Sequence, residues 1–453
     1  MIMAKRTVTW QDTFKAALAD EQAGRLDEAI AKLNLTIRQA PLQGTVYRQL
    51  GVLLHKQERY AAALAAFRRA LERLPDTAVQ WSNIGITLRD MDRFDEGAEA
   101  MARACTLAPD NAKYAFRQGY CLLKAMRAGE AVEALDRAVA LDDPDGDAAL
   151  TLALALLTDG QLERGWPAYE ARWGHKSSIA EPYPEKRWDG RPIKGTLLVS
   201  VEQGLGDTIN FIRYAAMSRE RCGRLVLRTH KGSESLMRRV AGVDDVILRG
   251  EEPPPFEAAI GLLSLPRVFG TTLETIPAPV SYVAPGEAEQ EKARALFAPL
   301  QDLRKVGIVW AGNPKHAEDR RRSIPFEKFL ELLDVPRVAL VSLQKGARVE
   351  EAAASGVSGM VSDMQRRMET LEDTAALISA LDLVIACDTA VAHLAGAMGK
   401  PVWILLSKTS DWRWLTERED SPWYPSARLF RQKKEGDWDE LFERVTAALK
   451  AMP

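Results

Sequence analysis

Two hydrophobic rhythms divide this 453-residue chain. Up to about residue 174 the apolar positions recur at spacings of three and four in short segments separated by polar turns, which predicts paired helices. Beyond residue 195 the stretches TLLVSVEQGLGDTINFIRYAAMSRE, RLVLRTH, DDVILRG, KVGIVWAGNP, RVALVSLQK and LVIACDTAVAHLAGAMGKPVWILL put short apolar runs in alternation with helical spacing. That alternation predicts parallel sheets with helices on both faces. The segment from Gly174 to Gly195 is rich in Pro, Gly and charge and marks a boundary. Gly286 to Leu300 reads as a helix joining two sheets. The expected organisation is therefore repeat helices over 1–174, a linker over 175–195, and two doubly wound half-domains over 196–300 and 301–453 with a cleft between them.

The first third repeats itself. Pro41, Pro75 and Pro109 are each 34 residues apart, as are Gly51, Gly85 and Gly119, and that period is the tetratricopeptide one. Four full units start near Trp10, Gly44, Ala78 and Ala112, and a degenerate fifth, TLALALLTDGQLERGWPAYEARW, is expected to cap the stack. Small residues let the paired helices approach, while large ones such as Tyr47, Phe67, Trp81 and Met101 are expected to fill the space between repeats. Such a stack presents a concave face suited to an extended peptide and has no chemistry of its own. Tyr114, Phe116, Arg117 and Tyr120 share one helix; most of them are expected in the core, with groove-lining residues among the rest.

Composition narrows the classes. A formal charge of −2 supplies no global basic field for nucleic acid or an anionic membrane. The opening MIMAKRTVTWQDTF lacks the apolar core of a signal peptide, and no uncharged apolar stretch approaches the ~20 residues needed to cross a bilayer, so the expected location is the cytoplasm. Cys105, Cys121, Cys222 and Cys387 show neither paired nor metal-ligand spacing and read as buried thiols.

Chemistry concentrates at the ends of the predicted strands. From Leu383 the order is strand, Asp388-Thr389, helix, Gly399, Pro401, strand. Either residue is a good helix cap, and the unpaired N–H groups of that helix start favour an anion such as phosphate. In Val201 to Thr208 a strand enters Gly204-Leu205-Gly206-Asp207, whose glycines allow a ligand near the backbone. Ile209 stands where a dinucleotide fingerprint needs its third glycine, which disfavours an NAD site, and no P-loop is present. Asp207 reads as an N-cap or as a catalytic group facing the cleft. After the strand Val306 to Trp310 comes a polar loop with Asn313, Lys315, His316, Arg320, Arg321 and Arg322. Arginine forks there suit phosphate oxygens, and a solvated charge run is the competing reading. His393 stands one turn into the helix after Thr389, facing either a ligand or the core.

Taken together, VEQGLGDTINFIRYA, VGIVWAGNPKHAEDRRRSIP, SLQKG, DLVIACDTAVAHLAGAMGKPVWILL, DWRWL and SPWYPSARLFRQ resemble bacterial tetratricopeptide proteins with a heptosyltransferase-like glycosyltransferase domain of GT-B fold. That group includes flagellin glycosyltransferases, and the repeat-bearing O-linked N-acetylglucosamine transferase is a broader parallel. The resemblance implies an all-helical superhelix followed by two Rossmann-like halves. It places the catalytic base on Asp207, a donor-phosphate cation on Arg322 where the family has lysine, and the donor-diphosphate contact on Asp388 and Thr389. Gln344 and Lys345 follow as nucleoside contacts.

The expected function is transfer of a sugar from a nucleotide-activated donor to a protein hydroxyl, such as a flagellin Ser or Thr, delivered by the repeats. Cofactor and metal are not required, because fixed cations and a helix end would stabilise the departing phosphate, and a single base next to the acceptor suits inversion. The alternatives are a saccharide or lipid-linked glycan acceptor, or a scaffold whose second part only binds a nucleotide sugar.

Overall fold

The computed structural model describes residues 9–142, 146–175, 180–315 and 318–452. They fall into two compact units, Met1–Ala155 and Leu156–Pro453.

The first unit is built from helix pairs: α1 (Trp10–Gln22) with α2 (Leu26–Gln39), α3 (Gly44–Lys56) with α4 (Tyr60–Leu71), α5 (Ala78–Asp90) with α6 (Phe94–Leu107), and α7 (Ala112–Lys124) with α8 (Ala128–Leu141). The four pairs begin where the repeat reading starts its units. The packing rule is visible in three glycines. A Cβ at Gly51 would lie 2.6 Å from Phe67, one at Gly85 2.8 Å from Met101, and one at Gly119 2.4 Å from Leu135. Each glycine on a first helix therefore receives a large side chain from the second helix of its own pair, so large residues also fill space within a repeat. Between the two helices of each pair the chain turns through a left-handed residue. Gly24, Glu58, Asp92, Met126 and Gly160 have φ of 76°, 58°, 58°, 63° and 80°, one 34-residue period apart.

A fifth pair follows, α9 (Asp147–Thr158) and α10 (Leu162–Tyr169), with a 3-10 turn over Glu170–Trp173. The division between compact units falls inside α9, so α10 and its turn group with the sheets. Trp166 accounts for this. It is 2% exposed, its indole N–H donates to the Thr271 carbonyl at 2.8 Å, and its ring packs on Phe211, Trp412 and Trp423.

The second unit holds two all-parallel sheets flanked by helices, the GT-B-like layout. The first has β1 (Thr196–Ser200), β2 (Arg224–Thr229), β3 (Asp245–Leu248) and β4 (Ala258–Gly261) in the order β3-β2-β1-β4. The second has β5 (Arg304–Val309), β6 (Val338–Ser342), β7 (Val361–Asp363), β8 (Leu383–Cys387), β9 (Val402–Leu406) and β10 (Ala427–Arg431) in the order β10-β9-β8-β5-β6-β7. All five residues of β8 and of β9 are buried, as central parallel strands require. A cluster containing Val306, Ile308, Phe326, Phe329, Ile385 and Phe442 fills the core of the second sheet. The helix Glu287–Leu296 joins the two sheets. In the stretch read as linker, Arg187 makes a parallel bridge to Ala259 and Trp188 donates its backbone N–H to the Ala259 carbonyl. This segment therefore lines the β4 edge, with Trp188 1% exposed.

The strand orders fix where a ligand can bind. In the first sheet the winding reverses between β1 and β4, and in the second between β5 and β8. Open parallel sheets bind ligands in the crevice beyond the carboxyl ends of the strands at such reversals. The glycine loop after β1, the polar loop after β5 and the Asp388-Thr389 turn after β8 all stand there.

Candidate functional site

The chain leaves β1 through Val201-Glu202-Gln203 and enters α11 (Leu205–Phe211) at Gly204. Asp207 is the third helical residue rather than the cap. Its Oδ2 accepts the backbone N–H of Gly204 at 2.9 Å, which satisfies one of the orphan donors of the helix start. Its Oδ1 accepts from a guanidinium nitrogen of Arg413 at 2.5 Å. Arg413 also bonds Asp411 at 2.9 Å and lies over the rings of Trp412 and Phe211. Burial works against the charge of this guanidinium, and the carboxylates of Asp411 and Asp207 overcome that and raise its pKa further. Glu202 sits between β1 and β4. Its carboxylate accepts the N–H groups of Leu262 and Leu263 at 2.9 and 3.1 Å and a guanidinium N–H of Arg172 at 3.0 Å. Burial pushes it up to about 7 against those three donors.

At the second reversal Thr389 is the N-cap of the helix Ala390–Ala397 and makes no side-chain cap bond. Its hydroxyl instead donates back to the Cys387 carbonyl at 3.1 Å. Asp388 Oδ1 lies 3.6 Å from His393 Nε2. Burial would raise the Asp388 carboxyl, but His393 and the Arg322 guanidinium hold it below the ordinary carboxylate value. Arg322 donates to the Asp388 carbonyl at 3.1 Å and to Asp319 at 3.3 Å, so it spans β5 and β8. Gly312 makes room for this, since a Cβ there would lie 2.3 Å from Arg322 Nη2.

Gln344, Lys345 and Asn313 already bond to protein groups. The Gln344 amide accepts the N–H groups of Trp310 and Ala311 and donates to the carbonyls of Ala311 and Lys345. It shapes the carboxyl end of β5. Lys345 Nζ donates to the Met368 carbonyl. Asn313 accepts the Lys315 N–H at 3.0 Å and its residue is exposed. His316 lies outside the described residues.

The two reversals meet at α11 and the helix Ala390–Ala397. A Cβ on Gly206 would lie 2.9 Å from Cδ2 of His393, so the glycine is needed for this close approach. The His393 ring stacks on Trp414 at 5.2 Å and its Nδ1 is hydrogen-bonded to the Tyr424 hydroxyl at 2.8 Å. His393 thus faces both the packed interior and Asp388. Asp207, Asp388, Thr389, Gly206, His393 and Arg322 converge at one region. Sequence reasoning assigned no role to Arg413, Glu202 or Tyr424, although DWRWL and SPWYPSARLFRQ had stood out. The signal was a charged residue set between two tryptophans. Among the described residues there is no cluster of His, Cys, Asp and Glu able to hold a metal.

Residues 337–443, from β6 to the C-terminal helix, match glycosyltransferase family 9 (heptosyltransferase). Residues 14–78 and 83–146 match the tetratricopeptide repeat. The chain is 32% identical over 330 residues to Protein FlbA of Caulobacter vibrioides, covering 67% of this chain and 54% of that protein. It therefore spans about half the length of that relative. Solved structures similar to the chain include YrrB, a TPR protein with an unusual peptide-binding site, at 17% identity, 38% of this chain, 86% of that chain and TM-score 0.34. MamA of Desulfovibrio magneticus is similar at 17% identity, with 38% of this chain and 93% of that chain covered and a TM-score of 0.34. The chain carries tetratricopeptide repeats followed by a glycosyltransferase family 9 domain.

Proposed function

We propose that the chain is a glycosyltransferase that moves a sugar from a nucleotide-activated donor to a protein hydroxyl held by the repeats, with a flagellin Ser or Thr as the first acceptor to test. The observation that carries this reading is the close approach of α11, which carries Asp207, to the helix that starts after Thr389, made at Gly206 and His393, with each helix beginning at a winding reversal of its own sheet and Thr389 making no side-chain cap bond. Asp207 takes the proton of the acceptor hydroxyl, whose oxygen attacks the anomeric carbon as the bond to the nucleotide phosphate breaks. The departing phosphate gathers negative charge. Arg322 and the amides after Thr389 supply fixed positive potential at that point without a metal. One base beside the acceptor and a leaving group opposite give inversion at the anomeric carbon.

The full-length protein with Asp207→Asn tests this. Proton transfer by a positioned base contributes roughly 10²–10⁴-fold, so transfer is expected to fall by about a hundredfold or more while nucleotide binding persists. Transfer at a near wild-type rate removes Asp207 from the mechanism.

A second reading has its own support. Both carboxylate oxygens of Asp207 and the side chains of Arg322, Gln344 and Lys345 already bond to protein groups. A scaffold that binds a nucleotide sugar without turnover would keep them so, and binding of a nucleotide sugar with no turnover on protein or glycan acceptors would establish it.

A further inference from the structure

We propose that residues 166–173, the end of α10 and the turn after it, are positioning residues that hold Asp207 in place, not merely the cap of a helical stack. This rests on Asp207 being the base.

The segment grips the Asp207 environment at three points. Arg172, 4% exposed, bonds Glu202 at 3.0 Å and Ser264 at 2.7 Å. Its guanidinium also lies 4.2 Å from the Trp173 ring centre. Glu202 in turn fastens the carboxyl end of β1 to the backbone of Leu262 and Leu263. Next, the Tyr169 hydroxyl accepts the Gln203 amide N–H at 2.8 Å, one residue before Gly204. Finally Trp166 sets its ring against Trp412 at 5.5 Å and Phe211 at 6.2 Å. Those are the two rings between which Arg413 reaches Asp207. Phe211 is also one helical turn beyond Asp207 on α11.

A cap that only closed a stack would need apolar cover. A buried Arg–Glu pair is a poor source of stability, because desolvating two charges offsets their attraction. What the pair does supply is geometry: it fixes a carboxylate across the β1–β4 reversal, directly ahead of the loop that carries Asp207. The grips on Glu202, Gln203 and the Phe211 and Trp412 rings leave that loop few ways to move.

The test uses the full chain with Tyr169→Phe, which removes one hydroxyl, and Arg172→Lys, which keeps the charge and loses the fork. Two readouts are taken. Hydrogen exchange of peptides covering residues 202–211 is expected to rise at least fivefold in both variants. Nucleotide release is measured with UDP-N-acetylglucosamine, GDP-mannose, CMP-N-acetylneuraminic acid and ADP-heptose as probes and flagellin as acceptor. With whichever probe the wild type turns over, kcat is expected to fall at least tenfold while donor KM stays within twofold. Unchanged exchange in both variants, or wild-type kcat in both, overturns the proposal. If the wild type releases nucleotide from no probe while exchange rises in both variants, the brace stands and the glycosyltransferase reading is what fails.

Discussion

At Asp388 burial and charge pull in opposite directions, and charge wins. The folded carboxyl lies below its ordinary value of 3.8, so the stability it contributes is fully present above that pH and is lost as pH falls through the folded value. Asp388→Asn has no such proton to take up. In urea unfolding at a series of pH values from 6 to 3, wild-type stability is expected to drop more steeply than the variant's below about pH 4, and parallel curves would contradict this. Asp388, Thr389 and Asp207 were legible in sequence because strand–turn–helix punctuation is local. Arg413 was not, since it lies 206 positions from the Asp207 it bonds and no spacing rule reaches across two sheets. Gln344 was legible as a strand-end residue, but the four backbone bonds that occupy it belong to loops whose paths the sequence leaves open.

Among the elements, the contact of α11 with the helix Ala390–Ala397 has the least slack. Gly206→Ala places a methyl 2.9 Å from the His393 ring. That ring is held by Tyr424 and Trp414, so it has little room to yield. Overpacking of this kind costs about 1–3 kcal/mol. Chemical denaturation is expected to show a loss in that range, and unchanged stability would mean that the two helices are free to separate. The helix pairs were readable because a 34-residue period returns, in three of the four, a glycine on the first helix that faces a large apolar residue on the second. The fifth pair kept the helical pattern, but Trp166 had no sequence neighbour to reveal that it buries among Phe211, Trp412 and Trp423. The linker misled for a related reason: its prolines and charges hid Trp188, which covers a strand edge.

For the whole molecule, the division into compact units places every residue of the two winding reversals after Ala155. A chain lacking residues 1–155 is expected to keep donor-dependent nucleotide release while transfer to protein falls at least tenfold, as read by mass spectrometry of the acceptor. Undiminished protein transfer would show that the repeats do not hold the acceptor. The repeats carry one further consequence. Their left-handed turns are glycine at the two ends of the series but Glu58, Asp92 and Met126 between, and a left-handed L-residue holds roughly 1–2 kcal/mol of strain. The stack is therefore a scaffold whose cohesion can be raised at its hinges, leaving every partner-facing side chain as it is.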